Sequence, residues 1–369
     1  DDLVGKLVKS CCVSTELTMT TYTQNQPKAV ALISGGLDSM LAARVVKDQG
    51  VHVEGLNFFT GFCVEGHTHA IRNHDRKRPK RNNALWVAEQ LGIKLHIVDV
   101  IEEYKDVVIN PRHGYGANLN PCLDCKSFMV GKARQWMQAH GFDFIVTGEV
   151  VGQRPMSQRR ETFPVVQRES GAGDLLLRPL CAKLQSPSAA ERNGWVDRQS
   201  LYDFSGRSRK PQMALAVALG IDDYAQPAGG CCFLTDTTYS RKLKDLWQSR
   251  GKKTYEIDDI MLLKVGRHIR PRPHFKLIIA RDAGETNYLQ GYRHRFSHLT
   301  MTSHNGPLTL IEGDLNESEI AFAARIAARF GQGRDANRVT FDAVRGRGDP
   351  VPLCIQPLPS SEIPAQWYV

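Results

Sequence analysis

Ser34-Gly35-Gly36-Leu37-Asp38-Ser39 is the stretch on which the reading of this chain turns. Before it, Lys28-Ala29-Val30-Ala31-Leu32-Ile33 is an apolar, β-branched run of buried-strand length. After it, Met40-Leu41-Ala42-Ala43-Arg44-Val45-Val46 has the composition of a helix. The hexapeptide is therefore a strand-to-helix turn. Two glycines let the backbone bend tightly and approach a ligand, while the hydroxyls of Ser34 and Ser39 and the N–H groups of the helix start converge on one spot. A helix N-terminus carries roughly half a positive charge, so that spot favours anions. A polyphosphate is its natural guest.

The spacing is neither Gly-x-x-x-x-Gly-Lys-Ser/Thr nor Gly-x-Gly-x-x-Gly. It resembles the Ser-Gly-Gly-x-Asp-Ser pyrophosphate loop (PP-loop) of the N-type ATP pyrophosphatases, which cut ATP to AMP and pyrophosphate and leave an adenylated substrate. The resemblance implies an α/β fold with a parallel sheet, and ATP held by Ser34, Gly35, Gly36, Leu37, Asp38 and Ser39. Asp38 is too acidic to hold phosphate directly and is expected to serve Mg2+ or orientation.

At 369 residues the chain has length for about two domains. Its 41% hydrophobic and 24% charged content are those of a globular protein. No apolar run approaches the roughly 20 residues that span a bilayer, and the first residues lack the layout of a secretory signal, so a cytoplasmic location without membrane attachment is expected. In that compartment the nine cysteines read as ligands, nucleophiles or core residues rather than disulfides. The net charge of +9 suggests a polyanionic partner.

Residues 1–27 read as a polar leader. From residue 28 to 236 strand-like and helix-like segments alternate: strands at 51–59, 94–100 and 142–146, helices at 82–91 and 126–140. Ligands in such a sheet sit at the carboxyl ends of the strands. That places Leu56 and Phe58, at the end of the second strand, near an adenine. Residues 237–258 read as a connecting helix, charged from Tyr239 to Arg250, leading into the apolar run Ile260–Val265. Residues 259–369 read as a smaller α+β domain of short strands with one late helix, 317–330, and a proline-rich tail.

Cys122-Leu123-Asp124-Cys125 opens a helix after Asn120-Pro121, a placement that favours thiolates. The spacing serves zinc, an iron–sulfur cluster or a redox dithiol. One cysteine of the distant pair Cys231-Cys232 would make three ligands, leaving one iron of a [4Fe–4S] cluster open to carry a sulfide. Cys63 and Cys181 have no partner spacing and read as packing residues.

Cys122–Met129, then Ile145-Val146-Thr147-Gly148-Glu149-Val150-Val151-Gly152-Gln153, then Leu177-Arg178-Pro179-Leu180, then Cys231-Cys232 together resemble the catalytic domain of the ThiI-type tRNA 4-thiouridine synthetases in order and spacing. Asn120-Pro121 and Cys232-Phe233 give a weaker likeness to the MnmA-type 2-thiouridylases. Val265-Gly266-Arg267-His268-Ile269-Arg270, Lys276–Arg281 and Glu285–Leu289 resemble the RNA-binding module of the NFACT family.

These resemblances imply an ATP-dependent tRNA sulfurtransferase that adenylates a uridine and then transfers sulfur, with 4-thiouridine at tRNA position 8 as the expected product. The alternatives are 2-thiolation of another base such as position 34, or a non-catalytic RNA-binding protein. Asp38, Cys125 and Cys232 are the expected catalytic residues, Gly148 joins the nucleotide site, and Cys122, Cys125 and Cys231 or Cys232 would hold the cluster. The expected partners are tRNA and a sulfur donor, either sulfide or a cysteine desulfurase, with a homodimer left open. RNA contacts are expected from Arg267, Arg270 and Lys276, with His268 and Arg272 beside them. A second set is Arg76, Lys77, Arg78, Lys80 and Arg81, where neighbouring cations disfavour a metal at His67, His69 and His74 and a merely solvated loop is the alternative. Arg178 reads as either a phosphate contact or a structural ion pair.

Overall fold

The computed structural model describes residues 26–64, 81–225 and 232–369. Residues 1–25 of the leader, the basic loop with Arg76, Lys77, Arg78 and Lys80, the histidines His67, His69 and His74, and Cys231 lie outside the described residues. The first half runs β1 (Lys28–Leu32), α1 (Leu37–Lys47), β2 (His52–Phe59), α2 (Asn83–Leu91), β3 (Leu95–Asp99), α3 (Ile101–Ile109), α4 (Cys122–Ala139), β4 (Phe144–Val146), α5 (Thr162–Glu169), β5 (Leu176–Leu177) and α6 (Lys210–Ala218). The five strands form one parallel sheet in the order β3-β2-β1-β4-β5. β1 is central, which explains its unbroken apolar sequence, since a strand covered on both faces has no polar side to show. Ala29, Ala31 and Ile33 pack with Leu41 and Val45 of α1. Val30, Leu56 and Phe58 pack on the opposite face with Leu123, Val130 and Met137 of α4.

Local chemistry sets the element ends. Asn82, expected as the first helical residue, is instead the cap of α2; its side chain accepts from the Ala84 and Leu85 N–H groups, and Gly92 ends the helix at φ 57°. Such a cap is worth about 1 kcal/mol.

The second half follows as α7 (Thr237–Arg250), α8 (Ile257–Leu262), β6 (Arg267–Arg272), β7 (Phe275–Ile279), α9 (Ala283–Gln290), β8 (Ser297–Met301), β9 (Thr309–Glu312), α10 (Glu317–Ala328), β10 (Val339–Val344) and β11 (Val351–Ile355). Its strands form an antiparallel sheet in the order β11-β10-β8-β9-β7-β6. Ile320, Ala323, Ala324 and Ala327 of α10 share a core with Leu277, Leu299 and Phe341. The fold class read from the sequence, a parallel α/β sheet with a smaller α+β domain, is the one observed. A capping box between Glu256 and Asp259 starts α8, which takes up the first part of the apolar run 260–265. A second helix, α9, precedes the late one; its start is fixed by Asp282, whose side chain accepts from the Glu285 N–H.

The halves meet in an apolar cluster. Phe62, Tyr104 and Leu119 from the first pack with Leu234, Tyr239, Leu243, Trp247, Tyr255, Ile260 and Leu263 from the second. The Phe62 ring stands edge-on to Tyr255, with centroids 5.4 Å apart. At the edge of this region Lys242 is buried and donates to the Leu263 and Gly266 carbonyls, both at 3.1 Å. Burial, aided by Arg281 and Lys276 nearby, pulls its pKa down to about 7. The unfolded chain keeps this proton up to about pH 10.4. Stability therefore rises with pH between about 7 and 10, where the unfolded state binds the extra proton. Wild type is expected to gain melting temperature relative to Lys242→Met across that window in differential scanning calorimetry. A constant difference would show an ordinary lysine.

Candidate active site

The glycine turn closes on itself. Gly35 adopts φ +80°, a region that glycine enters without strain. Ser39 Oγ donates to the Gly36 carbonyl at 2.8 Å and lies 3.2 Å from Ser34 Oγ. α1 begins at Gly36 with no capping side chain. Its positive end is thus left to a ligand. Gly148, just beyond β4, supports the turn from below: a Cβ there would fall 2.4 Å from the carbonyl carbon and oxygen of Asp38 and 2.5 Å from the Ser39 nitrogen. The residues from Ser34 to Ser39 and Gly148 are therefore together in space.

The Asp38 carboxylate accepts from Gln153 Nε2 at 2.7 Å and from Arg209 Nη2 at 3.2 Å. Gln153 in turn accepts from Gln212, which is fully buried. These partners are an amide and a guanidinium, so Asp38 has an orienting environment. Gln153 lies in a stretch that carried the family resemblance. Arg209 and Gln212 gave no sequence signal, being brought in by α6 from far along the chain. Leu56 and Phe58 are core residues under α4, buried at 1% and 8% exposure, instead of an open adenine wall.

Below the turn, Glu149 is buried and accepts from Thr147 Oγ1 at 2.9 Å and Arg178 Nε at 3.1 Å. Burial raises its pKa, but Lys126 and Arg178 more than offset this and hold the carboxyl below its usual value. Arg178, also stacked 4.0 Å over Phe163, is the structural ion pair of the two readings the sequence allowed. Since Lys126 sits on α4 and Glu149 follows Gly148, this network ties the cysteine helix to the floor of the turn.

Cys122 donates to Ser157 Oγ at 3.2 Å. Cys125, one turn on, meets the hydroxyl of Tyr104, whose pKa is raised well above its ordinary value by burial and by the nearby thiols of Cys125, Cys232 and Cys63. Cys232 faces Cys63 across an isolated antiparallel bridge. Lys264, reaching over from the second half, donates to the Gly61 carbonyl at 2.6 Å and lies 4.9 Å from the Phe233 ring centre. Burial brings its pKa down to about 8 against the opposing pull of Cys63 and Cys232. Cys63 and Lys264 are the residues that sequence spacing missed. Cys181 is buried and pushed up to about 12 by that burial, a packing thiol as expected.

Among the described residues no group of three metal-binding side chains forms: Cys122 is turned to Ser157 while Cys125 and Cys232 lie by Tyr104, and Cys231, the other expected third ligand, lies outside the described residues.

The basic residues of the second half are largely engaged within the protein. Lys276 is 1% exposed and paired with Glu312 at 2.8 Å and Asp245 at 3.5 Å, and Arg270 Nη2 donates to Asp245 at 2.8 Å. His268 is buried as well. They read as basic surface in the sequence, but α7 brings an aspartate onto the sheet and they neutralise it. Arg267 lies over Phe330, and Arg81 is held by Asp223 and stacked on Trp86.

Residues 27–167 match a family model described as the tRNA methyl transferase HUP domain, and residues 266–368 one described as the NFACT protein RNA binding domain. Similar curated proteins include the tRNA-specific 2-thiouridylase MnmA of Petrotoga mobilis, 32% identical over 130 residues that cover 33% of this chain and 35% of the relative. That of Treponema denticola is 26% identical over 247 residues, 65% of this chain and 63% of the relative. The match thus spans about a third of the length of the first relative. A solved 4-thiouridine synthetase–RNA complex with bound ATP is 19% identical, covers 53% of this chain and 52% of that one, and has a TM-score of 0.32. No helix among the described residues is long and apolar enough to cross a membrane. The first half is thus similar to tRNA methyl transferase HUP domains and to the curated 2-thiouridylases, and the second to NFACT protein RNA binding domains, in line with the resemblances read from the sequence.

Proposed function

We propose that this protein thiolates a uridine of tRNA at the cost of ATP. The observation that supports the reading is the closed Ser-Gly-Gly-Leu-Asp-Ser turn braced by Gly148, whose neighbour Glu149 is tied through Lys126 to the helix that carries Cys125. ATP would lie along the turn with its β- and γ-phosphates at the start of α1. The uridine carbonyl oxygen attacks the α-phosphorus, and pyrophosphate departs. Adenylation turns an oxygen that cannot leave into AMP, which can. A cysteine desulfurase passes the sulfane sulfur of its own persulfide to the Cys232 thiolate, its cysteine leaving as a thiol; free sulfide, already fully reduced, would instead attack the adenylated carbon directly.

The names of the curated relatives favour 2-thiouridine as the product. The Cys-x-x-Cys spacing of Cys122 and Cys125 supports the second reading, 4-thiouridine at position 8. Mass spectrometry of tRNA nucleosides from a deletion strain distinguishes them by the nucleoside that disappears. Unchanged nucleosides would refute thiolation altogether.

Ser39→Ala removes one hydroxyl from the turn. A hydrogen bond to a charged group is worth about 1.5–3 kcal/mol, so ATP–pyrophosphate exchange is expected to slow about ten- to a hundredfold, while tRNA affinity in filter binding stays unchanged. A variant that exchanges at the normal rate would remove the turn from the chemistry.

A further inference from the structure

Cys63 and Cys232 stand directly opposite each other in their antiparallel bridge. The flanking hydrogen bond, from Phe233 N–H to the Phe62 carbonyl at 2.9 Å, makes them a non-hydrogen-bonded pair. In such pairs the Cα atoms lie about 4.5 Å apart and the side chains are closest. A disulfide accepts Cα separations of about 4.4–6.8 Å. The backbone thus already has the spacing of a cystine, although both residues are thiols here. The two segments are also held together: Lys264 bonds the carbonyl of Gly61 on one and covers the ring of Phe233 on the other. Leu234 N–H donates to Cys232 Sγ at 3.4 Å, fixing the thiol at the start of its turn.

We propose that Cys63 is the resolving thiol of the site, the group that frees the product from Cys232; this rests on the thiolation reading above. The terminal sulfur of a Cys232 persulfide attacks the adenylated carbon and AMP leaves with the C–O electron pair, so the base is joined to Cys232 through a disulfide. The Cys63 thiolate attacks Cys232 Sγ. The sulfur bound to the base leaves with the S–S electron pair and becomes the thiocarbonyl, and a Cys63–Cys232 disulfide remains. A dithiol reductant of the thioredoxin class returns both residues to thiols.

The test has two arms on the full chain. In the first, the protein is equilibrated with oxidised and reduced glutathione, blocked with N-ethylmaleimide, digested and mapped without reduction. A Cys63–Cys232 peptide pair is expected as the dominant disulfide. A dominant Cys125–Cys232 pair, or Cys63 that stays alkylatable throughout, overturns the proposal. This arm needs no turnover, so its result stands even if the protein proves not to thiolate. In the second, ATP, tRNA and a persulfide donor are added. Cys63→Ser and Cys63→Ala are both expected to accumulate a protein–tRNA adduct that dithiothreitol releases, with product release falling more than tenfold. An adduct seen with Cys125→Ser and not with the Cys63 variants assigns resolution to Cys125 and overturns the proposal.

Discussion

Gly148→Ala is expected to abolish ATP–pyrophosphate exchange almost completely, by about a hundredfold or more, in a chain that still folds. The added methyl would sit 2.4 Å from backbone atoms of Asp38, where ordinary carbon contacts lie near 3.5–4.0 Å. No flexible side chain is there to yield; the turn itself must move. A shift of about 1 Å in a group that positions a reactant costs on the order of a hundredfold in rate. Overpacking of this kind costs about 1–3 kcal/mol of stability, which a marginal but intact fold tolerates. Exchange is measured with labelled pyrophosphate, and folding by circular dichroism. Normal exchange by a folded Gly148→Ala protein would mean that the turn is not where the phosphates bind.

Cys232→Ser is expected to separate the two half-reactions. Thiouridine formation should fall by at least about a thousandfold, because a hydroxyl cannot carry a sulfane sulfur and losing a covalent nucleophile removes the whole second step. ATP–pyrophosphate exchange should persist within about twofold, since Cys232 lies at the Tyr104 cluster and outside the phosphate turn. The readouts are nucleoside mass spectrometry and labelled pyrophosphate. Thiolation at the wild-type rate would remove Cys232 from sulfur transfer.

The parallel sheet was legible because its signals are local. The apolar run before Ser34, the turn chemistry and the alternation of segments each follow from a few consecutive residues, and β1, β2, β3 and α4 lie close to where those signals put them. The glycine turn was legible for the same reason. The cysteines were only half legible: Cys122 and Cys125 announce themselves by spacing, but Cys63 meets Cys232 through a bridge between segments remote in sequence, and Lys264 arrives from beyond α8. The basic residues misled because charge in a sequence says nothing of its counter-charge. Arg270 and Lys276 are half of a neutral arrangement whose other half is Asp245 on α7 and Glu312 on β9.

The apolar cluster that joins the halves bears on how such a protein changes over generations. Two stretches that match separate family models suggest parts that shuffle like cartridges, yet Phe62 and Tyr104 of the one are roofed by Tyr255, Ile260 and Leu263 leading into the other. Whatever replaced the carboxyl-terminal part would inherit a duty unconnected with RNA: to cover those rings and to supply a cation over the segment that carries Cys63. A graft that cut ahead of Tyr255 would leave those rings uncovered. Exchange of parts is therefore confined to junctions that lie past Lys264, and the inheritable unit is longer than either family match.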